Sequence, residues 1–234
     1  MSIVLLFLPG LLWVPAAPGP RIAAADRRRA RHELVLPEPY LDSDDDIILD
    51  WSQCDITAIS GTMFAQWPDL TQLILESNQI ETIPAYAFRC LKDLKYLDLK
   101  ENRIQTVHED AFIGLENLVD LDLKQNLIQT IHFGTFRELD YLVKLDLQQN
   151  WIQTIQSRAF FGLDSVDELD LGDNLIETID DGAFDDLVSL KELSLDNNGI
   201  CNNWIDPAGP SGELRRAWGL PDTTIITCAI PPVQ

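Results

Sequence analysis

Apolar residues recur along this chain with a period longer than any single helix or strand. Leu70, Leu94, Leu118, Leu142, Val166 and Leu190 each open a stretch 24 residues after the last. The clearest stretch is LKYLDLKENRIQTVHEDAFIGLEN, residues 94–117, and it follows the framework LxxLxLxxNxIxxIxxxxFxxLxx. LVDLDLKQNLIQTIHFGTFRELDY and LVKLDLQQNWIQTIQSRAFFGLDS continue it without insertion. A more degenerate stretch begins near Asp46, with Leu49, Trp51, Cys54, Ile56, Ile59, Phe64 and Trp67 in phase. Residues 46–200 therefore read as seven successive units of one repeat, which is the signature of a stacked architecture.

Each part of the unit has a physical role. LxLxx alternates with period two and predicts a short strand whose leucines point inward while the residues between them face out. Asn78, Asn102, Asn126, Asn150, Asn174 and Asn198 follow the strands. At that turn a buried amide can satisfy backbone N–H and C=O groups that the bending chain leaves unpaired. Phe88, Phe112, Phe136, Phe160 and Phe184 then fill the wider back of each coil. One unit cannot bury its own apolar face, so stacking supplies the core and the end units need caps.

The pattern resembles the leucine-rich repeat family, in particular its typical extracellular subclass with 24-residue units. The resemblance implies an α/β right-handed solenoid, with a parallel β-sheet on the concave face and an irregular or short-helical convex face. Cys54 stands at the Asn position, where the family accepts cysteine.

The ends differ from the middle. An apolar run from Ile3 to Val14 suits a signal-peptide core and is too short to span a bilayer; Ala23 and Ala25 offer a small-x-small cleavage site. Residues 1–25 are accordingly expected to be a signal peptide, and 26–45 a basic, then acidic, leader. Arg31 closes an RxxR pattern that is either a convertase site or, as favoured, part of a solvated basic linker. Tyr40, beside Asp42, Asp44, Asp45 and Asp46, is either a sulfation site or part of a disordered acidic lead-in, again the favoured reading. A calcium loop is ruled out there, because Ile47 stands where the turn glycine is needed and Gln53 where the closing glutamate is needed. Residues 201–234 are expected to cap the exposed core, with Cys201 and Cys228 bridged in an oxidising compartment. Family caps commonly hold more cysteines than this. Cys54 and Cys90 either bridge or stay separate thiols.

Composition changes the picture mainly through charge. Of 234 residues, 46% are hydrophobic and 24% charged, an ordinary globular balance, but 38 Asp and Glu face 17 Lys and Arg for a net charge of −21. Gripping nucleic-acid phosphates or an anionic membrane needs clustered Lys and Arg, so neither partner is expected. Five of the arginines lie in residues 1–31, which leaves the repeats more acidic than the whole chain.

Catalytic chemistry finds little footing. The three histidines match no nucleophile motif, and no cofactor is expected. His108 and His132 occupy equivalent positions of adjacent units, where a zinc site is the less favoured reading and two exposed side chains the more favoured.

The concave strand face is the better candidate. One outward column reads Asp50, Ile74, Asp98, Asp122, Asp146, Asp170, Ser194. Carboxylates about 5 Å apart repel by roughly 0.8 kcal/mol in water, and by about 3 kcal/mol at an effective dielectric constant near 20. Lys100, Lys124 and Lys144 flank the column and offset part of this; Glu168, Asp170, Asp173, Glu192 and Asp196 are expected to lack basic neighbours on that face. Tyr96 and Trp151, with Ile74 and Leu127, are expected as large exposed side chains of the kind that anchor protein interfaces. The expected ligand surface is thus Tyr96, Asp98, Lys100, Asp122, Lys124, Lys144, Asp146, Trp151, Glu168 and Asp170, and the expected partner a protein with a basic patch. Similarity to short soluble arthropod leucine-rich immune proteins, and to Toll-like receptor ectodomains, implies a secreted, unanchored, non-catalytic recognition module. An extracellular matrix or adhesion component is the alternative.

Overall fold

A computed structural model describes residues 36–203 and 211–229. The expected signal peptide, Arg31 and the basic half of the leader lie outside them. The strands, in chain order, are β1 (Tyr40–Leu41), β2 (Ile47–Asp50), β3 (Gln72–Ile74), β4 (Thr82–Ile83), β5 (Tyr96–Asp98), β6 (Thr106–Val107) and β7 (Asp120–Asp122). They continue with β8 (Lys144–Asp146), β9 (Thr154–Ile155), β10 (Glu168–Asp170), β11 (Thr178–Ile179), β12 (Glu192–Ser194) and β13 (Ile225–Thr227). One nine-stranded sheet runs β1-β2-β3-β5-β7-β8-β10-β12-β13, parallel throughout except for the antiparallel β1–β2 pair.

Strand pairing follows the repeat. Leu49, Leu73, Leu97, Leu121, Leu145, Leu169 and Leu193 sit side by side across seven strands, and all are buried. Past each strand the Asn side chains form a second ladder. Asn126 Oδ1 accepts the N–H of Ile104, and its Nδ2 donates to the carbonyls of Leu99 and Leu123, all at 3.0 Å. Its counterparts in neighbouring coils do the same, so each buried amide ties one coil to the coil before it. At the back, Phe64, Phe88, Phe112, Phe136, Phe160 and Phe184 stack ring on ring at 5.6–6.3 Å between centroids. The convex side consists of turns carrying two short parallel pairs, β4–β6 and β9–β11, and among the described residues the helical segments, a 3-10 turn at Gly199–Asn203 and the helix Gly212–Trp218, lie at the C-terminal end.

Both ends of the sheet are covered. The acidic segment before the first repeat is folded rather than loose: β1 pairs with β2, and Asp42 Oδ1 accepts the N–H groups of Asp44 and Asp46 in the turn between them. Trp51 Nε1 donates to the carbonyl of Pro37 at 2.8 Å, closing this hairpin over the first coil. At the other end α1 (Gly212–Trp218) starts at the Ser211 cap, buries Trp218, and its Ala217 and Trp218 carbonyls accept the N–H groups of Gly182 and Phe184. Cys201 and Cys228 form a disulfide with Cα atoms 5.6 Å apart, whereas Cys54 and Cys90 are not bridged.

Candidate binding face

The outward column falls into register, with Asp50, Ile74, Asp98, Asp122, Asp146, Asp170 and Ser194 as successive strand partners. Its carboxylates also serve the backbone. Asp98, Asp122, Asp146 and Asp170 each turn Oδ1 onto the N–H two residues ahead, that of Lys100, Lys124, Gln148 and Gly172, at 2.8–3.0 Å. Each strand leaves the sheet at that amide, so the carboxylate satisfies a donor that would otherwise be unpaired.

Packing carboxylates this closely shifts their protonation. Burial, and then the neighbouring Asp146 and Asp98, push the Asp122 carboxyl up to about 6, against a lowering contribution from the Lys124 amide. Asp146 is pushed up by burial and by Asp170, with Lys124 and Lys144 pulling the other way. Asp120 is raised too, through burial and then Asp146, Asp98 and Glu168, with Lys144 opposing. Asp120 belongs to the same carboxylate face but is not among the residues expected there. Strand residues two apart share a face, so its place two before Asp122 was the signal.

The remaining predicted residues divide. Asp98 is buried: Tyr96 Oη donates to it at 3.3 Å and Lys100 Nζ pairs with it at 3.3 Å while also reaching Glu76 at 3.4 Å. Burial alone would lower the Lys100 ammonium, but Asp98 and Glu76 outweigh that and raise it. Tyr96 is therefore half-buried with its hydroxyl turned onto Asp98, not the exposed aromatic expected, and burial followed by Asp98 raises its ionisation far above the ordinary range. Ile74 and Leu127 are likewise half-buried. Glu168, expected without a basic neighbour, pairs with Lys144 at 3.7 Å, because β8 and β10 place the two side by side. Among the described residues, the ion pairs along this column stop at Glu168. Trp151 is exposed by 50% but lies outside the sheet, following Asn150 where the chain turns away from the concave face. Away from this face, His108 Nδ1 accepts the N–H of Asp110 at 3.0 Å, and no group of three metal-ligating side chains occurs among the described residues.

A solenoid with in-register strands, an Asn ladder and a Phe stack defines a class, and comparison with known proteins agrees with it. The leucine rich repeat family model matches residues 48–104, 92–152 and 140–200. The chain belongs to the leucine-rich repeat family. No curated protein matches it. Among solved structures, it is similar to a chain of the TLR13–ssRNA13 complex, with 26% sequence identity over 64% of this chain and a TM-score of 0.47. The match spans 28% of that chain, so this protein corresponds to a little over a quarter of its length.

Proposed function

We propose that this chain is a secreted, non-catalytic protein-binding module, and that its partner presents a basic patch to the concave carboxylate face. One observation carries the reading: Asp98, Asp122, Asp146 and Asp170 lie in one register column, while Lys100, Lys124 and Lys144 accompany only its central part. Field lines from such a column reach beyond the surface and steer cationic partners, which speeds association at low salt. The Cys201–Cys228 bridge suits an oxidising compartment. Short repeats with a minimal cap resemble soluble immune proteins, and on that footing the module serves innate immune recognition or assembly with immune effector proteins.

The test is recovery of partners from extracellular fluid by the wild type and by a D122N/D146N/D170N variant. Asparagine keeps the oxygen that accepts the backbone N–H, so the variant changes charge more than fold. The wild type should retain proteins that the variant loses and that moderate salt weakens. Equal recovery by both, or nuclease-sensitive material in place of protein, overturns the proposal.

A further inference from the structure

Leu127, Trp151 and Leu175 occupy the same position in three successive coils, directly after the ladder asparagines Asn126, Asn150 and Asn174. Their backbone N–H groups are fixed by the inter-coil ladder, Leu127 on Ile104, Trp151 on Ile128 and Leu175 on Ile152, at 2.9–3.0 Å. The row is thus a firm edge running beside the concave sheet, with neighbouring coils about 4.8 Å apart. Trp151 is exposed by 50% and Leu175 by 52%, with Leu127 half-buried.

The fold does not call for these side chains. Other coils place Gln79 and Arg103 at the same position and make the same turn, their N–H groups donating to the Ile56 and Ile80 carbonyls at 2.8–3.0 Å. The apolar character is confined to three adjacent coils, where it forms a row rather than scattered single side chains. Around it the polar residues are uncharged at one end and acidic at the other. Gln125, Gln149, Gln129 and Gln153 are exposed beside Leu127 and Trp151, whereas Asp173 and Glu177 flank Leu175.

We propose that this row is a docking edge for a protein segment that presents an apolar side chain followed by lysine or arginine. The apolar side chain seats on Trp151 and Leu175, and the cation meets Asp173 and Glu177. Tryptophan suits this role because it covers a large area while losing little conformational freedom on binding. The proposal rests on the protein-binding reading above, but it assigns recognition to a different set of side chains.

A random-peptide phage library selected on the full chain supplies the probe. The selected peptides are then measured by fluorescence anisotropy against the wild type, W151S, L175S, D173N/E177Q and D122N/D146N/D170N. Enriched peptides should pair a leucine or aromatic residue with Arg or Lys. W151S and L175S should each weaken binding about tenfold, the scale of a central interface residue, and D173N/E177Q several-fold. Thermal melts of W151S and L175S should match the wild type, and if one variant melts early the other carries the test. Binding unchanged in both, or enriched peptides without basic residues, overturns the docking edge. So does sedimentation showing a wild-type dimer that W151S abolishes, since the occupant is then a second copy of this chain. Loss in D122N/D146N/D170N alone overturns the edge and leaves the concave-face proposal standing; loss in W151S and L175S alone supports the edge, and the concave face is then judged by its own recovery test.

Discussion

Asp122 Oδ1 accepts the backbone N–H of Lys124 at 2.9 Å while its carboxyl is pushed up to about 6 by burial and by Asp146 and Asp98. A carboxyl raised above its ordinary value near 3.9 holds its proton more tightly in the folded state. Its contribution to stability is therefore largest at low pH and is lost as pH rises from about 4 to about 6. Asp120 and Asp146 act in the same direction. Urea midpoints should increase as pH falls from about 7 to about 5, and D122N should flatten that slope while preserving the amide contact. Identical slopes in the two proteins would remove Asp122 from the account.

Asn126→Ala deletes an acceptor for Ile104 and two donors to Leu99 and Leu123 in the buried ladder. Each orphaned backbone group costs about 1–3 kcal/mol, so the loss should reach about 3 kcal/mol or more by chemical denaturation. Asn126→Cys should recover part of it, because Cys54 holds the equivalent place and donates its thiol to the Ser52 carbonyl.

Gln149 lies in the left-handed region at φ 56°, as do Gln53, Ser77, Glu101, Gln125, Asp173 and Asn197 at the same place in their coils. The strain of a side chain there is about 1–2 kcal/mol, and the extra freedom of an unfolded glycine offsets about 0.5–1 of it. Gln149→Gly should thus raise stability by up to about 1 kcal/mol. Gly219→Ala tests the opposite case. Gly219 has φ 79° at the end of α1, and an added Cβ would stand 2.8 Å from the backbone N and Cα of Asp185. That substitution should lower the melting temperature clearly, whereas Val188→Ala, on a side chain exposed by 67%, should not.

Replacing both Cys201 and Cys228 with serine removes the one disulfide among the described residues. The loss should be about 2–4 kcal/mol, typical for such a bridge. Because each coil rests on its neighbours, the damage should begin at the open end. Hydrogen exchange should therefore rise first in β12 and β13 and only later in β5 and β7.

The sequence made the stacking legible because the leucine, asparagine and phenylalanine positions each recur once per coil and each has a single buried role. The column from Asp50 to Ser194 was legible for the same reason. Its double duty was not, since alternation says which way Asp122 points but not that its oxygen bends back to the Lys124 amide. Tyr96 was misjudged because a strand pattern cannot foresee that its hydroxyl finds Asp98. Trp151 is exposed as expected, but alternation could not show that it stands past the end of the strand, where the chain turns after Asn150. The hairpin at Tyr40–Asp46 was hidden by its acidic composition, which gives no periodicity from which to infer pairing.

The coil-to-coil ladder has a consequence for growth. Each asparagine binds carbonyls 3 and 27 residues behind it, so the surface one coil offers is the surface it receives. Among the described residues, the hairpin and Cys54 at one end and α1 with β13 at the other break that equivalence. Duplicating a 24-residue unit in the middle would lengthen the protein by about 4.8 Å without a new kind of joint. The same event would add one more rung to the acidic column, so reach and charge would increase in a single evolutionary step.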